Sequence, residues 1–130
     1  MTSGKELIVA LFRDLLEAPV LDLSLVERYV SPDYVQMVDG AILDYSGFIE
    51  HLKKQKEIVK SMKVEFLALV QEGEIVFSNH VVKVEKKDGS YLEVKVIAQF
   101  TLFENRLIRC DELTRLLLGD KKDQDIGSRR

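Results

Sequence analysis

The sequence predicts an α+β domain in which three N-terminal helices pack on one face of a strongly curved antiparallel sheet. Two observations lead to this fold class. Apolar residues recur at helical spacing up to about residue 60, and then alternate with a period near two over residues 62–118. Asp-Gly pairs at residues 39–40 and 88–89 lie between apolar runs, which is typical of β-hairpins.

Helical spacing and capping signals define the N-terminal half. They predict helices at residues 4–17, 23–30 and 46–60. Ser3, with Glu6 three positions later, forms a capping box at the first helix, and Pro19 ends that helix. Pro32 ends the second helix, and Ser46 begins the third.

Alternating apolar and polar residues define the strands. They predict a short hairpin between the second and third helices, followed by four long strands, at residues 34–38, 41–43, 62–70, 75–86, 90–103 and 107–118. Helices followed by a run of strands favour an antiparallel sheet that has its helices on one face. Strands this long in a small domain predict a sheet that curves around those helices.

Composition limits the chemistry that the chain can perform. With 130 residues, 46% of them apolar, the chain forms one domain, which we assign to residues 1–118, with a polar tail at 119–130. A net charge of −3 disfavours a nucleic-acid partner. One Cys and two His, without a Gly-rich phosphate loop, lead us to expect no metal and no cofactor. Acid–base chemistry by carboxylates remains.

The sequence also predicts a compartment. The apolar residues 7–12 are too few for a signal peptide, and Arg13 and Asp14 follow them at once. No window approaches the roughly 20 apolar residues that a membrane span needs. Together with a single Cys, this pattern favours a cytoplasmic protein with no membrane partner.

Charged residues identify the face of each strand that meets solvent. Lys83 and Glu85 share one face of the strand at residues 75–86, which places His80 on the face that meets the helices. In the last strand, alternation groups Glu112 with the more apolar set and Asp111 with the charged set. We therefore predict that Glu112 faces inward, although a single β-bulge would place Asp111 there instead.

The same alternation leaves apolar side chains on the outer face of the sheet. Phe77, Ile97 and Phe103 fall on this face in the two central long strands. Exposed apolar residues of this size require a cover, and a second copy of the chain is the simplest one. We therefore predict a homodimer that forms through the sheet face.

Two segments, SPDYVQMVDGAILDYSGFIEHL at residues 31–52 and NRLIRCDELTRLLLGD at residues 105–120, complete this pattern. With the order of helices and strands, they resemble the nuclear transport factor 2-like (NTF2-like) superfamily, in its SnoaL-like polyketide cyclase and ketosteroid isomerase-like branch. The resemblance spans about residues 4–118. It implies a cone-shaped, cystatin-like α+β barrel with an apolar pocket at its open end, and dimers that pack through the sheet.

The resemblance also implies where an acid–base site would lie. Enzymes of this group use a pocket carboxylate as the base, with a His, a Tyr or a second acid as hydrogen-bond donor. The carboxylate falls on Glu112 or Asp111, and the donor falls on His80. The substrate-binding positions fall on Gln36 and His51, to which we add Tyr34, which alternates with Gln36, and Tyr45, at the start of the third helix.

Two functions remain open at this stage. The first is a cofactor-free isomerase, cyclase or dehydratase that acts on a small apolar carbonyl or hydroxyl compound, with Glu112 as base and His80 as oxyanion donor. The second is a non-catalytic module for ligand binding or dimeric interaction. A steroid isomerase is disfavoured because the strand at 90–103 offers no inward acid. An epoxide hydrolase would need an inward Arg between two Asp, and we place none.

Overall fold

The structure is a computed structural model that describes residues 3–119. Three helices and six strands follow one another along the chain, and a π-helix continues the first helix. In order they are α1 (Gly4–Leu11), the π-helix (Phe12–Glu17), α2 (Leu23–Tyr29), β1 (Val30–Val38), β2 (Ala41–Asp44), α3 (Tyr45–Ile58), β3 (Val59–Glu72), β4 (Ile75–Lys86), β5 (Tyr91–Phe103) and β6 (Arg106–Leu118). Apart from Gly119, the predicted tail lies outside the described residues.

The fold class predicted from the sequence is confirmed, with one difference in the direction of a strand pair. The strand order is β2-β1-β6-β5-β4-β3, so the sheet is curved and unclosed, with β2 and β3 at its edges. β1 and β6 run parallel, whereas the other four neighbouring pairs are antiparallel. The prediction of a wholly antiparallel sheet is therefore wrong at this one pair. No tight turn joins β1 to β6, so no hairpin fixes their relative direction.

The helix N-termini differ in part from the sequence prediction. Ser3 caps α1 as expected, because its Oγ accepts a hydrogen bond from the Glu6 backbone N–H at 3.1 Å. α2 begins after Asp22, whose carboxylate accepts from the Ser24 backbone N–H at 2.9 Å. α3 likewise begins after Asp44, whose carboxylate accepts from the Gly47 backbone N–H at 2.8 Å. Aspartate, one of the preferred N-cap residues, therefore caps both of these helices.

Pro32 lies inside a strand rather than just beyond a helix. α2 ends at Tyr29, and β1 begins at the next residue. The pairing of β1 with β6 shifts register between Val30 and Val35, which is the stretch that contains Pro32. A proline has no backbone N–H to donate, so an irregular stretch of pairing tolerates it.

The inner face of the sheet packs on the helices and forms a single apolar core. Alternate residues of β4 and β5, such as Val76, Val84 and Leu92, are buried against α1 residues such as Ile8. The outer face remains apolar and exposed, as the alternation predicts. Its central side chains Phe77, Ile97 and Leu113 are 45%, 45% and 69% exposed. Among the described residues, each helix is too short or too polar to cross a membrane.

Candidate functional site

A cavity of about 90 Å³ lies between the π-helix, α3 and the inner face of the sheet. Most of its lining is apolar, from the residues Leu11, Phe12, Leu16, Phe48, Met62, Val82, Val84, Val94, Val96, Phe100 and Leu107. Its polar lining comes from the residues Tyr34, Gln36, His51, Gln55, His80, Cys110, Glu112 and Thr114. An apolar cavity with a few polar groups is the usual form of a small-molecule site.

Alternation along β6 separates the two rival carboxylates. Cys110, Glu112 and Thr114 line the cavity. Asp111 points to the outer face, where its carboxylate forms an ion pair with the Arg109 guanidinium at 2.9 Å. Glu112 is therefore the acidic residue of β6 that reaches the cavity, and the alternative that placed Asp111 there is excluded.

The Glu112 carboxyl group has a strongly altered acidity. Burial raises its pKa from 4.5 to about 7, because an apolar surrounding disfavours the charged form. The thiol of Cys110, which donates to Glu112 Oε1 at 3.5 Å, lowers the pKa in part, and the nearby Asp39 carboxylate raises it. At neutral pH the group is poised between its acid and base forms, which suits proton transfer.

Asp39 fastens the β1–β2 turn to β6 beside Glu112. Its carboxylate accepts a hydrogen bond from the Thr114 backbone N–H at 2.8 Å and a second from the Thr114 hydroxyl. Its own backbone N–H donates to the Glu112 carbonyl at 3.0 Å. Asp39 adopts a positive φ of 50°, which Asp tolerates better than most residues. The sequence identified only a turn here, because the two partners are 75 positions apart.

Tyr34 and Gln36 form the polar part of the cavity wall contributed by β1. The Tyr34 hydroxyl donates to Gln36 Oε1 at 2.8 Å, and both side chains are buried. Burial raises the pKa of Tyr34 well above 10, so its phenol stays protonated and keeps its hydrogen bond to Gln36. The Tyr34 ring packs edge-on against Phe48 of α3, with 5.0 Å between ring centroids.

His80 is buried in the cavity wall on β4. Burial lowers its pKa from 6.5 to about 4, and the positive charge of Lys95 adds to this effect, so the imidazole is neutral at pH 7. Its ring packs against those of Phe12 and Phe66, at centroid distances of 5.1 and 5.4 Å, and the two Phe rings also contact each other at 5.4 Å. The Ser78 hydroxyl forms a short hydrogen bond with its Nδ1 atom.

Two polar residues of α3 line the cavity, whereas Tyr45 at the start of this helix does not. His51 and Gln55 lie one helical turn apart, are buried and line the cavity. His51 is therefore a cavity residue rather than a solvated one. Tyr45 lies outside this cavity, in a separate surface groove that it shares with Arg28 and Arg106. Its predicted place at the cavity is a misassignment, since α3 begins at Tyr45 itself rather than at Ser46.

Glu112 and His80 line one cavity from strands that are not neighbours. Ala98 of β5 pairs with Glu112 on one side and with Ser78 on the other. Two strand spacings put β4 and β6 roughly 10 Å apart at this level. Both side chains nevertheless line the same cavity. Within residues 3–119, no cluster of three or more His, Cys, Asp or Glu residues could hold a metal ion.

Comparison with known sequences gives a relative but no family. No family model matches the chain. An uncharacterized protein of Schizosaccharomyces pombe is 29% identical over 107 residues, which cover 82% of each chain.

Solved structures match the chain over a larger part of its length. IdmH of Streptomyces antibioticus, a proposed polyketide cyclase, superposes with a TM-score of 0.74 at 14% identity, over 86% of this chain and 91% of its own. An LEH-like epoxide hydrolase of M. tuberculosis gives 0.73 at 14% identity, over 95% and 87%. The chain thus has the fold that the resemblance to the NTF2-like superfamily implied, and its structure is similar to those of three proposed polyketide cyclases, one of them described as SnoaL-like.

Proposed function

We propose that this protein binds a small, mostly apolar carbonyl or hydroxyl compound in the cavity and isomerises, cyclises or dehydrates it without a cofactor. The observation that supports this proposal is the Glu112 carboxyl group, whose pKa is about 7 inside an apolar cavity. A base with a pKa near the working pH transfers protons most effectively, and such transfer contributes roughly 10²–10⁴-fold to a rate.

Five polar side chains of the cavity have a role in this proposal. Glu112 removes a proton from the carbon next to the carbonyl carbon of the ligand, and returns it at another position. His80 donates a hydrogen bond to that oxygen as negative charge develops on it. Tyr34, Gln36 and His51 orient the ligand between these two groups.

The size of the cavity limits the ligand. At about 90 Å³, the cavity is far smaller than the roughly 300–1,000 Å³ of sites for drug-sized molecules. A compact molecule with one ring or a short chain suits this volume, whereas a fused-ring compound does not. An epoxide hydrolase of the kind considered above is disfavoured, because the described residues that line the cavity include no Arg and no Asp.

A two-step experiment tests the proposal. Small cyclic ketones and alcohols are first screened for a rise in the melting temperature of the protein, with Val82→Phe as the cavity-blocking variant and Val70→Phe as its match on the exposed part of β3. We expect stabilisation of wild type and V70F, and none of V82F. Stabilisation that persists in a folded V82F, or no stabilisation by any compound, would contradict binding in the cavity.

The second step measures proton transfer on the compounds that bind. In D₂O, the protein should catalyse exchange of the protons next to the carbonyl, which NMR follows directly. We expect the exchange rate to rise with pH through about 7, to fall at least about 100-fold in Glu112→Gln, and to stay unchanged in Asp111→Asn. Equal rates in wild type and E112Q would refute the role of Glu112 as base.

A non-catalytic binding module is the second candidate. It is favoured by the separation of Glu112 and His80, which contact different neighbours rather than each other. Ligand binding without any proton exchange, in the same experiment, would establish this function instead.

We also infer that the protein is a homodimer that forms through the outer face of the sheet. Phe77, Ile97 and Leu113 line a shallow apolar groove of about 280 Å³ on this face. The groove lies across β4, β5 and β6, so an identical surface of a second copy covers it with a two-fold arrangement.

A further inference from the structure

The Ser78–His80 pair is a buried polar contact to which the chemistry above gives no role. Ser78 and His80 are two residues apart on β4, so alternation places both on the inner face of the sheet. Both side chains are buried, at 3% and 1% exposure. The Ser78 hydroxyl meets Nδ1, the ring nitrogen that is nearer to the His80 backbone.

The hydrogen-bond partners of the Ser78 hydroxyl indicate which of the two groups is the donor. Within residues 3–119, His80 Nδ1 is the only hydrogen-bond partner of the Ser78 hydroxyl. If Nδ1 carried the proton and donated it, the buried hydroxyl proton of Ser78 would have no acceptor. An unsatisfied buried donor costs roughly 1–3 kcal/mol. The favoured arrangement therefore has Ser78 donating to an unprotonated Nδ1.

The neutral imidazole carries a single ring proton, which must then lie on Nε2. Nε2 is at the tip of the ring, away from the strand, and His80 lines the cavity. Phe12 and Phe66 pack against the ring. The tautomer thus decides whether His80 presents a donor or an acceptor at this wall.

We propose that Ser78 is a positioning residue that holds His80 in the Nε2–H tautomer, so that the cavity wall at β4 presents a hydrogen-bond donor. The ligand preference that we infer from this tautomer rests on the proposed function, whereas the tautomer itself does not. A ligand placed here must turn an oxygen lone pair, such as that of a carbonyl, towards β4. This requirement favours ketones and aldehydes over ligands whose polar end is only a donor, such as an ammonium group.

NMR of the ligand-free, ¹⁵N-labelled protein tests the tautomer directly. Long-range ¹H–¹⁵N spectra distinguish a protonated ring nitrogen from an unprotonated one, and the His80 ring is assigned through its own backbone and Cβ signals. At pH 7 we expect Nε2 to be protonated and Nδ1 to be unprotonated. A protonated Nδ1, or an even mixture of tautomers, in the wild-type protein would overturn the proposal without the use of any variant.

Two serine variants test the part played by Ser78. Ser78→Ala should shift the His80 signals towards a mixture of tautomers, because the hydroxyl that favours one form is gone. Ser31→Ala makes the same change at another buried serine, whose Oγ accepts from the Asp33 backbone N–H, and should leave the His80 signals unchanged. An unaltered tautomer in S78A would remove Ser78 from the proposal. Since no ligand is present, these results are independent of whether the protein is an enzyme.

Discussion

Burial shifts the pKa values of Glu112 and His80 in opposite directions. It raises the pKa of Glu112 to about 7 and lowers that of His80 to about 4. In both cases an apolar surrounding disfavours the charged form. Between these two values both side chains are neutral, so the cavity wall presents donors and acceptors without a net charge from either residue.

This pair predicts an unusual dependence of stability on pH. The folded-state pKa of Glu112 lies above 4.5, so its contribution to stability is complete below pH 4.5 and is lost as pH rises to about 7. The folded-state pKa of His80 lies below 6.5, so its contribution is complete above pH 6.5 and is lost as pH falls to about 4. In wild type the two trends offset one another.

Glu112→Gln should remove the pH dependence of stability that Glu112 contributes, and leave the one that His80 contributes. We expect the free energy of unfolding of wild type, relative to E112Q, to fall by up to about 3 kcal/mol between pH 4.5 and pH 7. Urea denaturation at intervals across this range measures the difference, and the same substitution at exposed Glu50 controls for the chemical change. A difference that does not vary with pH would mean that folding does not raise the pKa of Glu112.

At the residue scale, the sequence predicted the inward side chains wherever charges identified the outer face. Lys83 and Glu85 did so for His80 on β4. Tyr45 was misassigned because Asp44 caps α3, which the spacing of apolar residues does not reveal. The contact of Asp39 with Thr114 was out of reach for a different reason, since it joins a turn to a distant strand and depends on the parallel β1–β6 pair.

The π-helix is the element that brings Phe12 and Leu16 to the cavity. Its C-terminal end is held by Lys56 of α3, whose Nζ donates to the Leu16 carbonyl at 2.9 Å and to the Ala18 carbonyl at 2.5 Å. Partial burial lowers the pKa of Lys56, so these two acceptors replace part of its lost hydration. A π-helix of six residues is not distinguishable from an α-helix by apolar spacing, which is why the sequence predicted one continuous helix.

Lys56→Met should test how much this connection contributes. It leaves two carbonyl groups without their donor, and we expect the free energy of unfolding to fall by about 1–3 kcal/mol in urea denaturation. Lys53→Met is the matched control, because Lys53 is half exposed and forms only a 3.5 Å ion pair with Glu50. Equal effects of the two substitutions would show that Lys56 does not stabilise the π-helix.

At the scale of the whole molecule, the outer sheet face predicts the state of assembly. Ile97→Lys places a charge at the centre of the apolar groove and should convert a dimer into a monomer in sedimentation analysis. Val20→Lys introduces the same charge at a site that is 75% exposed and belongs to no strand, and should leave the dimer intact. A wild-type protein that sediments as a monomer at micromolar concentration would refute the dimer.

The parallel pairing of β1 with β6 determines when the cavity forms during synthesis of the chain. Gln36 of β1 pairs with Cys110 of β6. At ~5–20 residues per second, a ribosome adds Cys110 about 4 to 15 s after Gln36. Until then, the buried face of β1 lacks its neighbour, and Tyr34 and Gln36 stay open to water or to a chaperone. The cavity wall is thus completed late, and the strand that completes it also brings the Glu112 carboxylate.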